Sequence, residues 1–145
     1  MKLFDSLRRD VVDFEPIQAG KATVYGCGPT VYDFAHVGNF RTFLVYDLLH
    51  RHLRWRGLDV RFVVNLTDVD DKTIKGAAAG GKQLTEHTEP FAEAFLSDAK
   101  ALGFLEFDDH PKATDFIEAM VNFISRLIEA GHAYQAEDGS VYYSV

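Results

Sequence analysis

The segment Cys27-Gly28-Pro29-Thr30-Val31-Tyr32-Asp33, followed closely by His36-Val37-Gly38-Asn39, constrains this chain more than any other stretch. It follows a β-prone run at 22–27 (Ala-Thr-Val-Tyr-Gly-Cys) that Gly28-Pro29 ends. It precedes a run at 40–56 in which Phe43, Leu44, Leu48, Leu49 and Leu53 recur at three- and four-residue steps. That spacing predicts an amphipathic helix stopped by Gly57. Residues 60–65 (Val-Arg-Phe-Val-Val-Asn) read as a buried parallel strand. Strand, helix and strand make one right-handed βαβ unit, so the fold class is α/β with a parallel sheet. The glycine-containing turn then lies at a strand's carboxyl end and a helix N-terminus. Unpaired N–H groups and the helix dipole favour an anion there, such as a nucleotide phosphate.

Composition narrows the setting. A chain of 145 residues is one domain's worth, and 47% hydrophobic with 26% charged residues is ordinary for a soluble globular protein. No apolar run approaches the roughly 18 residues of a membrane span, and the start lacks the apolar core of a signal peptide. The single cysteine excludes an internal disulfide and fits a reducing cytoplasm. A net charge of −7 opposes a broad phosphate-binding surface. A nucleic-acid partner would be handled at its end, with other regions supplying most of the affinity.

Elsewhere, residues 1–20 read as an irregular lead-in. Asp70 or Asp71 caps a short helix through Ala79, ended by Gly80-Gly81. A second helix is expected over 88–102, ended by Gly103, and 108–111 is a loop. Thr114 is expected to cap a third helix with Phe116, Met120, Phe123, Ile124, Leu127 and Ile128 on one face, ended by Gly131. Residues 141–143 read as a strand after an Asp138-Gly139 turn, with no antiparallel mate before it. That pattern reads as a cut end.

Each chemical candidate has a plain alternative. Cys27 can pack as a small hydrophobe, react, or serve as one of the four ligands of a structural zinc site. No Cys-x-x-Cys or His-x-x-x-His partner accompanies it, so a zinc site needs ligands from outside these residues. His36 and Asn39 flank Gly38 as two polar donors around a residue that permits close approach of a nucleotide base. The alternative is a histidine capping a turn. Thr67, in Asn65-Leu66-Thr67-Asp68-Val69-Asp70-Asp71-Lys72, can donate to a small polar ligand at the second strand's end. The three aspartates suggest Mg²⁺, but capping and first-turn placement account better for Asp70 and Asp71. The histidines at 50, 52, 87, 110 and 132 show no ligand spacing. No Walker-type phosphate loop or serine nucleophile elbow is present.

Taken together, these segments resemble the amino-terminal part of a cysteinyl-tRNA synthetase, a class I aminoacyl-tRNA synthetase. The opening Lys2-Leu3-Phe4-Asp5-Ser6-Leu7, the cysteine motif from Cys27, the turn His36-Val37-Gly38-Asn39 with Arg41-Thr42-Phe43, and the stretch from Asn65 carry the likeness. Pro111-Lys112-Ala113-Thr114 and Gly131-His132-Ala133-Tyr134 extend it along the whole chain. The resemblance implies ATP-dependent activation of L-cysteine and its transfer to the 3′ end of tRNA. It implies Cys27 as a Zn²⁺ ligand, Gly28, Thr30 and Thr67 in the amino-acid pocket, and His36 and Asn39 on the phosphates of ATP, supplied with Mg²⁺, with Gly38 making room for adenine. It implies 1–20 as lead-in, 21–134 as the first half of a Rossmann-type catalytic domain, and 135–145 as the start of an inserted domain. The family's remaining zinc ligands and its Lys-Met-Ser-Lys-Ser loop do not occur in the sequence. The 145 residues alone are therefore expected to be inactive, to bind zinc weakly and to self-associate through exposed edges. The alternatives are a ligase joining cysteine to a glucosamine-inositol sugar, a non-catalytic synthetase-like module, and a small nucleotidyltransferase sharing only the His-x-Gly-x turn.

Overall fold

The computed structural model describes residues 1–145, and its central feature is a parallel pair of strands joined by a helix. Strand β3 (Lys21–Gly26) leads through residues 27–36 into helix α1 (Val37–Trp55), which returns to strand β4 (Asp59–Val64). The register runs from Lys21 opposite Asp59 to Gly26 opposite Val64. Gly57 adopts φ +82°, the left-handed conformation that ends α1 after Arg56. The expected βαβ unit is therefore present, with each boundary shifted by one to three residues.

A third, irregular segment extends the sheet beyond β4. Asp108 N–H donates to Phe62 O, Val64 N–H to Asp109 O and Leu66 N–H to Pro111 O, at 2.8–3.0 Å. Residues 108–111 are thus a loop, but one bonded along the C-terminal half of β4 and the residues that follow it. The other edge of β3 carries no strand.

The core lies between this sheet and the helices. Phe62 and Val64 are fully buried, and Phe40 and Phe43 of α1 meet Phe95 of α3 (Leu84–Ala101) at ring-centroid distances of 5.5 and 4.7 Å. Burying one such side chain stabilises the fold by roughly 1.5–3 kcal/mol. α1 presents only part of the apolar stripe expected of it, burying Phe43 and Leu53. Its buried positions are Phe40, Phe43, Asp47, His50 and Leu53, while Leu44 and Leu48 face out. Asp47 is drawn inward because its carboxylate accepts from Leu105 N–H and from Arg51 Nε, both at 2.7 Å. His50 stacks on Phe62 at 5.2 Å.

Helix α2 (Asp71–Ala79) is capped by Asp70, whose Oδ1 accepts from Lys72 and Thr73 N–H. α3 begins four residues before its expected start and carries Pro90 in its interior. The lead-in is not irregular: β1 (Lys2–Asp5) and β2 (Asp10–Asp13) form an antiparallel hairpin. Thr114 does not cap the last helix. It sits in a 3-10 turn (Ala113–Phe116) that precedes α4 (Ile117–Glu129), and its N–H and hydroxyl both donate to buried Asp68. The C-terminal strand also has a mate, because β5 (Ala133–Gln135) pairs antiparallel with β6 (Val141–Tyr143) around Gly139 at φ +86°.

Candidate functional site

The two parallel strands end in a clasp. Beyond β3 and β4 the chains stay paired: Val31 N–H donates to Thr67 O at 3.1 Å and Thr67 N–H to Pro29 O at 2.9 Å. The Asn65 side chain closes the clasp, with Oδ1 accepting from Gly28 N–H at 2.9 Å and Nδ2 donating to Thr67 Oγ1 at 3.0 Å. Gly28 is required sterically, since a Cβ there would run into the Asn65 carbonyl oxygen. Cys27, Gly28, Thr30 and Thr67 are thereby brought to one sheet edge, at the strands' carboxyl ends.

The opposite wall is the start of α1. His36 is its N-cap: Nδ1 accepts from Gly38 N–H at 3.0 Å, while Asn39 Oδ1 accepts from His36 N–H at 3.0 Å. With Nδ1 accepting, the proton of the neutral ring sits on Nε2. A Cβ at Gly38 would lie 2.8 Å from His36 Cε1, so the glycine lets the imidazole fold over the helix start. The capping alternative for His36 is thus correct as structure, and the cap leaves Nε2–H and the Asn39 amide available as donors.

Between these walls lies a cleft of about 430 Å³. Cys27, Gly28, Thr30, His36 and Asn39 line it, together with Tyr32, Lys72 and an apolar floor of Phe43, Phe91 and Phe95. Thr67 backs the rim by its bonds to residues 29–31, and Gly38 lies within the first turn of α1. The Lys72 ammonium stands 4.6 Å over the Tyr32 ring. Lys72 and Asn65 had no role in the sequence reading. An amide at the end of an apolar strand was the one available sign for Asn65, and Lys72 reaches the cleft only through the placement of α2. A larger cavity of about 520 Å³, bordered by Leu96, Phe104 and Phe107, contains none of the predicted residues.

The carboxylates following β4 are engaged elsewhere. Asp68 is buried against Thr114, and Asp70 caps α2. Cys27 is exposed, and its thiol meets only the neighbouring Gly28 carbonyl at 3.9 Å. It is a soft donor not consumed by packing, so it fits the role of one thiolate ligand. No three His, Cys, Asp or Glu side chains of residues 1–145 converge to hold a metal ion. No helix is long and apolar enough to cross a membrane.

Residues 13–145 match the family described as tRNA synthetases class I (C) catalytic domain. The chain is 43% identical over its full length to the cysteine–tRNA ligase of Protochlamydia amoebophila, and 44% to that of Symbiobacterium thermophilum. It spans about 30% of the length of these curated relatives. Among solved structures, Mycobacterium tuberculosis methionyl-tRNA synthetase in complex with methionyl-adenylate is similar with a TM-score of 0.67 and 26% identity, over 77% of this chain and 23% of that one. The ternary complex of Agrobacterium radiobacter K84 agnB2 LeuRS with tRNA and LeuAMS shares the fold at a TM-score of 0.70 and 19% identity, over 86% of this chain and 16% of that one. A parallel strand pair with its cleft at the strands' carboxyl ends, and a family match over nearly every residue, lead to one conclusion: the chain belongs to the class I (C) tRNA synthetase catalytic domain family.

Proposed function

We propose that the protein containing this chain is a cysteine–tRNA ligase. The observation that supports this best is the meeting, in one cleft, of the free Cys27 thiol with the His36 and Asn39 donors at the N-terminus of α1. The similarity of all 145 residues to cysteine–tRNA ligases favours this reading over the sugar ligase, the non-catalytic module and the nucleotidyltransferase.

In this reading ATP, as its Mg²⁺ complex, lies along the start of α1. The cysteine carboxylate oxygen attacks the α-phosphorus, and the bond to pyrophosphate breaks. His36 Nε2–H and the Asn39 amide hold phosphate oxygens as charge builds, and Gly38 leaves room for adenine. These are contributions of positioning and preorganised electrostatics, with no covalent nucleophile from the protein. Gly28, Thr30 and Thr67 border the amino acid. Cys27 serves as one ligand of a Zn²⁺ whose other ligands come from outside these residues. When bound, zinc supplies a soft Lewis acid that favours a substrate thiolate over the serine hydroxyl. A terminal ribose hydroxyl of tRNA then attacks the activated acyl carbon and AMP leaves.

The proposal extends to organisation. Residues 1–20 form a lead-in, 21–134 the first half of the catalytic domain and 135–145 the start of an inserted domain, in a cytoplasmic protein. The unpaired β3 edge and the exposed apolar residues of α4, among them Val121 and Phe123, favour self-association of the 145-residue chain. Charging of tRNA by the full-length protein tests the function. Attachment of cysteine, and not serine or methionine, supports it. Transfer of cysteine to an aminosugar instead of tRNA would replace it with the sugar-ligase reading.

A further inference from the structure

We infer that Asn65 is a positioning residue that sets the direction of the Thr67 hydroxyl proton, so that Thr67 offers a hydrogen-bond donor to an acceptor atom of the amino-acid substrate. The inference rests on the functional reading above. Its basis is the chemistry of one amide. Gly28 N–H can only donate, so the Asn65 atom facing it at 2.9 Å is the carbonyl oxygen. The other end is then the NH₂ group, which donates to Thr67 Oγ1 at 3.0 Å. Thr67 Oγ1 therefore already accepts, and its O–H proton points away from Asn65. That proton meets no protein acceptor, because the amide contact is the hydroxyl's one hydrogen bond.

The rest of Thr67 has little freedom. Its N–H and carbonyl are bonded to Pro29 and Val31, on either side of Thr30, which lines the cleft. Asn65 thus joins the segment carrying Cys27 to a hydroxyl of fixed polarity. A site built around a donor binds a substrate that presents an acceptor and rejects one that cannot.

Asn65→Asp separates orientation from scaffolding. One carboxylate oxygen still accepts from Gly28 N–H, while the other accepts from Thr67 and turns the hydroxyl proton inward. In the full-length protein, ATP–pyrophosphate exchange should show the amino-acid KM raised by about 10-fold or more, with the KM for ATP little changed. Thr67→Val should do the same, and Thr67→Ser, which keeps the hydroxyl, should raise the amino-acid KM clearly less than Thr67→Val. Adding Asn65→Asp to Thr67→Val should cost little more, because the hydroxyl through which Asn65 acts is gone. Additive losses, or equal losses in both KM values, overturn the inference and leave the functional reading standing. If Asn65→Asp does not fold, the Thr67→Val and Thr67→Ser pair decides: equal behaviour of the two overturns it. Absence of cysteine-dependent exchange in the wild type overturns the functional reading, and this inference with it.

Discussion

His36 and Asn39 cap the same helix reciprocally: the backbone N–H of His36 donates to Asn39 Oδ1 at 3.0 Å, while the His36 ring accepts the N–H of Gly38. The two side chains that face the cleft as donors are therefore also part of the helix terminus. Stability and activity are linked at these positions, but they can be separated. Asn39→Ala should cost about 1 kcal/mol of stability through the lost cap. Asn39→Asp keeps the acceptor oxygen and places a carboxylate, favoured by the dipole, in the first turn. It should melt near wild type yet lose exchange activity by about 100-fold, because the amide donor becomes an anion facing phosphate. Equal activity in Asn39→Asp and wild type would remove Asn39 from phosphate binding.

Cys27 offers the opposite separation. Its side chain is exposed and meets only the Gly28 carbonyl at 3.9 Å, so Cys27→Ser should change the urea midpoint by an amount equivalent to less than about 0.5 kcal/mol. The full-length protein should nevertheless lose zinc affinity and most of its cysteine-dependent activity. The 145-residue chain, with one thiol donor and no ligand cluster, should fail to hold zinc tightly. Metal analysis after gel filtration reads both results. A stoichiometric, tetrahedral zinc complex of the short chain would contradict the assignment of the remaining ligands elsewhere.

Much of this was legible in the sequence because the relevant signals are local. Residues 22–65 announce strand, turn, helix and strand through short-range periodicity and glycine stops. What escaped depends on contacts distant in sequence or on polar residues turned inward. Asp47 and His50 lie outside the apolar periodicity of α1, and their burial follows from Leu105 and Phe62 against them. The hairpin of residues 2–13 has two four-residue strands and a turn in which Arg9 takes φ 53°, with no glycine to mark it. Pro90 disguised the early start of α3, and β5 is too short to show alternation. The site residues were visible as a motif, but the Asn65 clasp, spanning 37 positions from Gly28, was not.

Asp68 ties the end of the β4 segment to the base of α4. Its carboxylate is buried and accepts both the N–H and the hydroxyl of Thr114. Asp68→Ala leaves a half-buried N–H without a partner and should destabilise by about 1–3 kcal/mol. Urea denaturation of Asp68→Ala and Thr114→Ala, alone and combined, checks this. The double variant should be clearly less destabilised than the sum of the two. Strict additivity would show that the pair does not act together.

His50 gives the fold a dependence on acid. Burial lowers its pKa below the ordinary 6.5, the opposing pull of Asp108 and Asp47 notwithstanding. The unfolded chain therefore binds a proton more readily than the folded one below about pH 6.5. The stability associated with neutral His50 is fully present above that pH and declines as pH falls through the lowered folded value. His50→Leu should flatten this part of the stability profile in chemical denaturation between pH 7 and 5. An unchanged slope would assign the acid sensitivity to other groups.

The most direct test is ATP–pyrophosphate exchange by the full-length protein, with cysteine, serine and methionine offered separately. The account predicts exchange with cysteine alone, mostly lost in Cys27→Ser and strongly reduced by Asn39→Asp. Exchange with another amino acid, or cysteine-dependent exchange unaffected by Cys27→Ser, would contradict it.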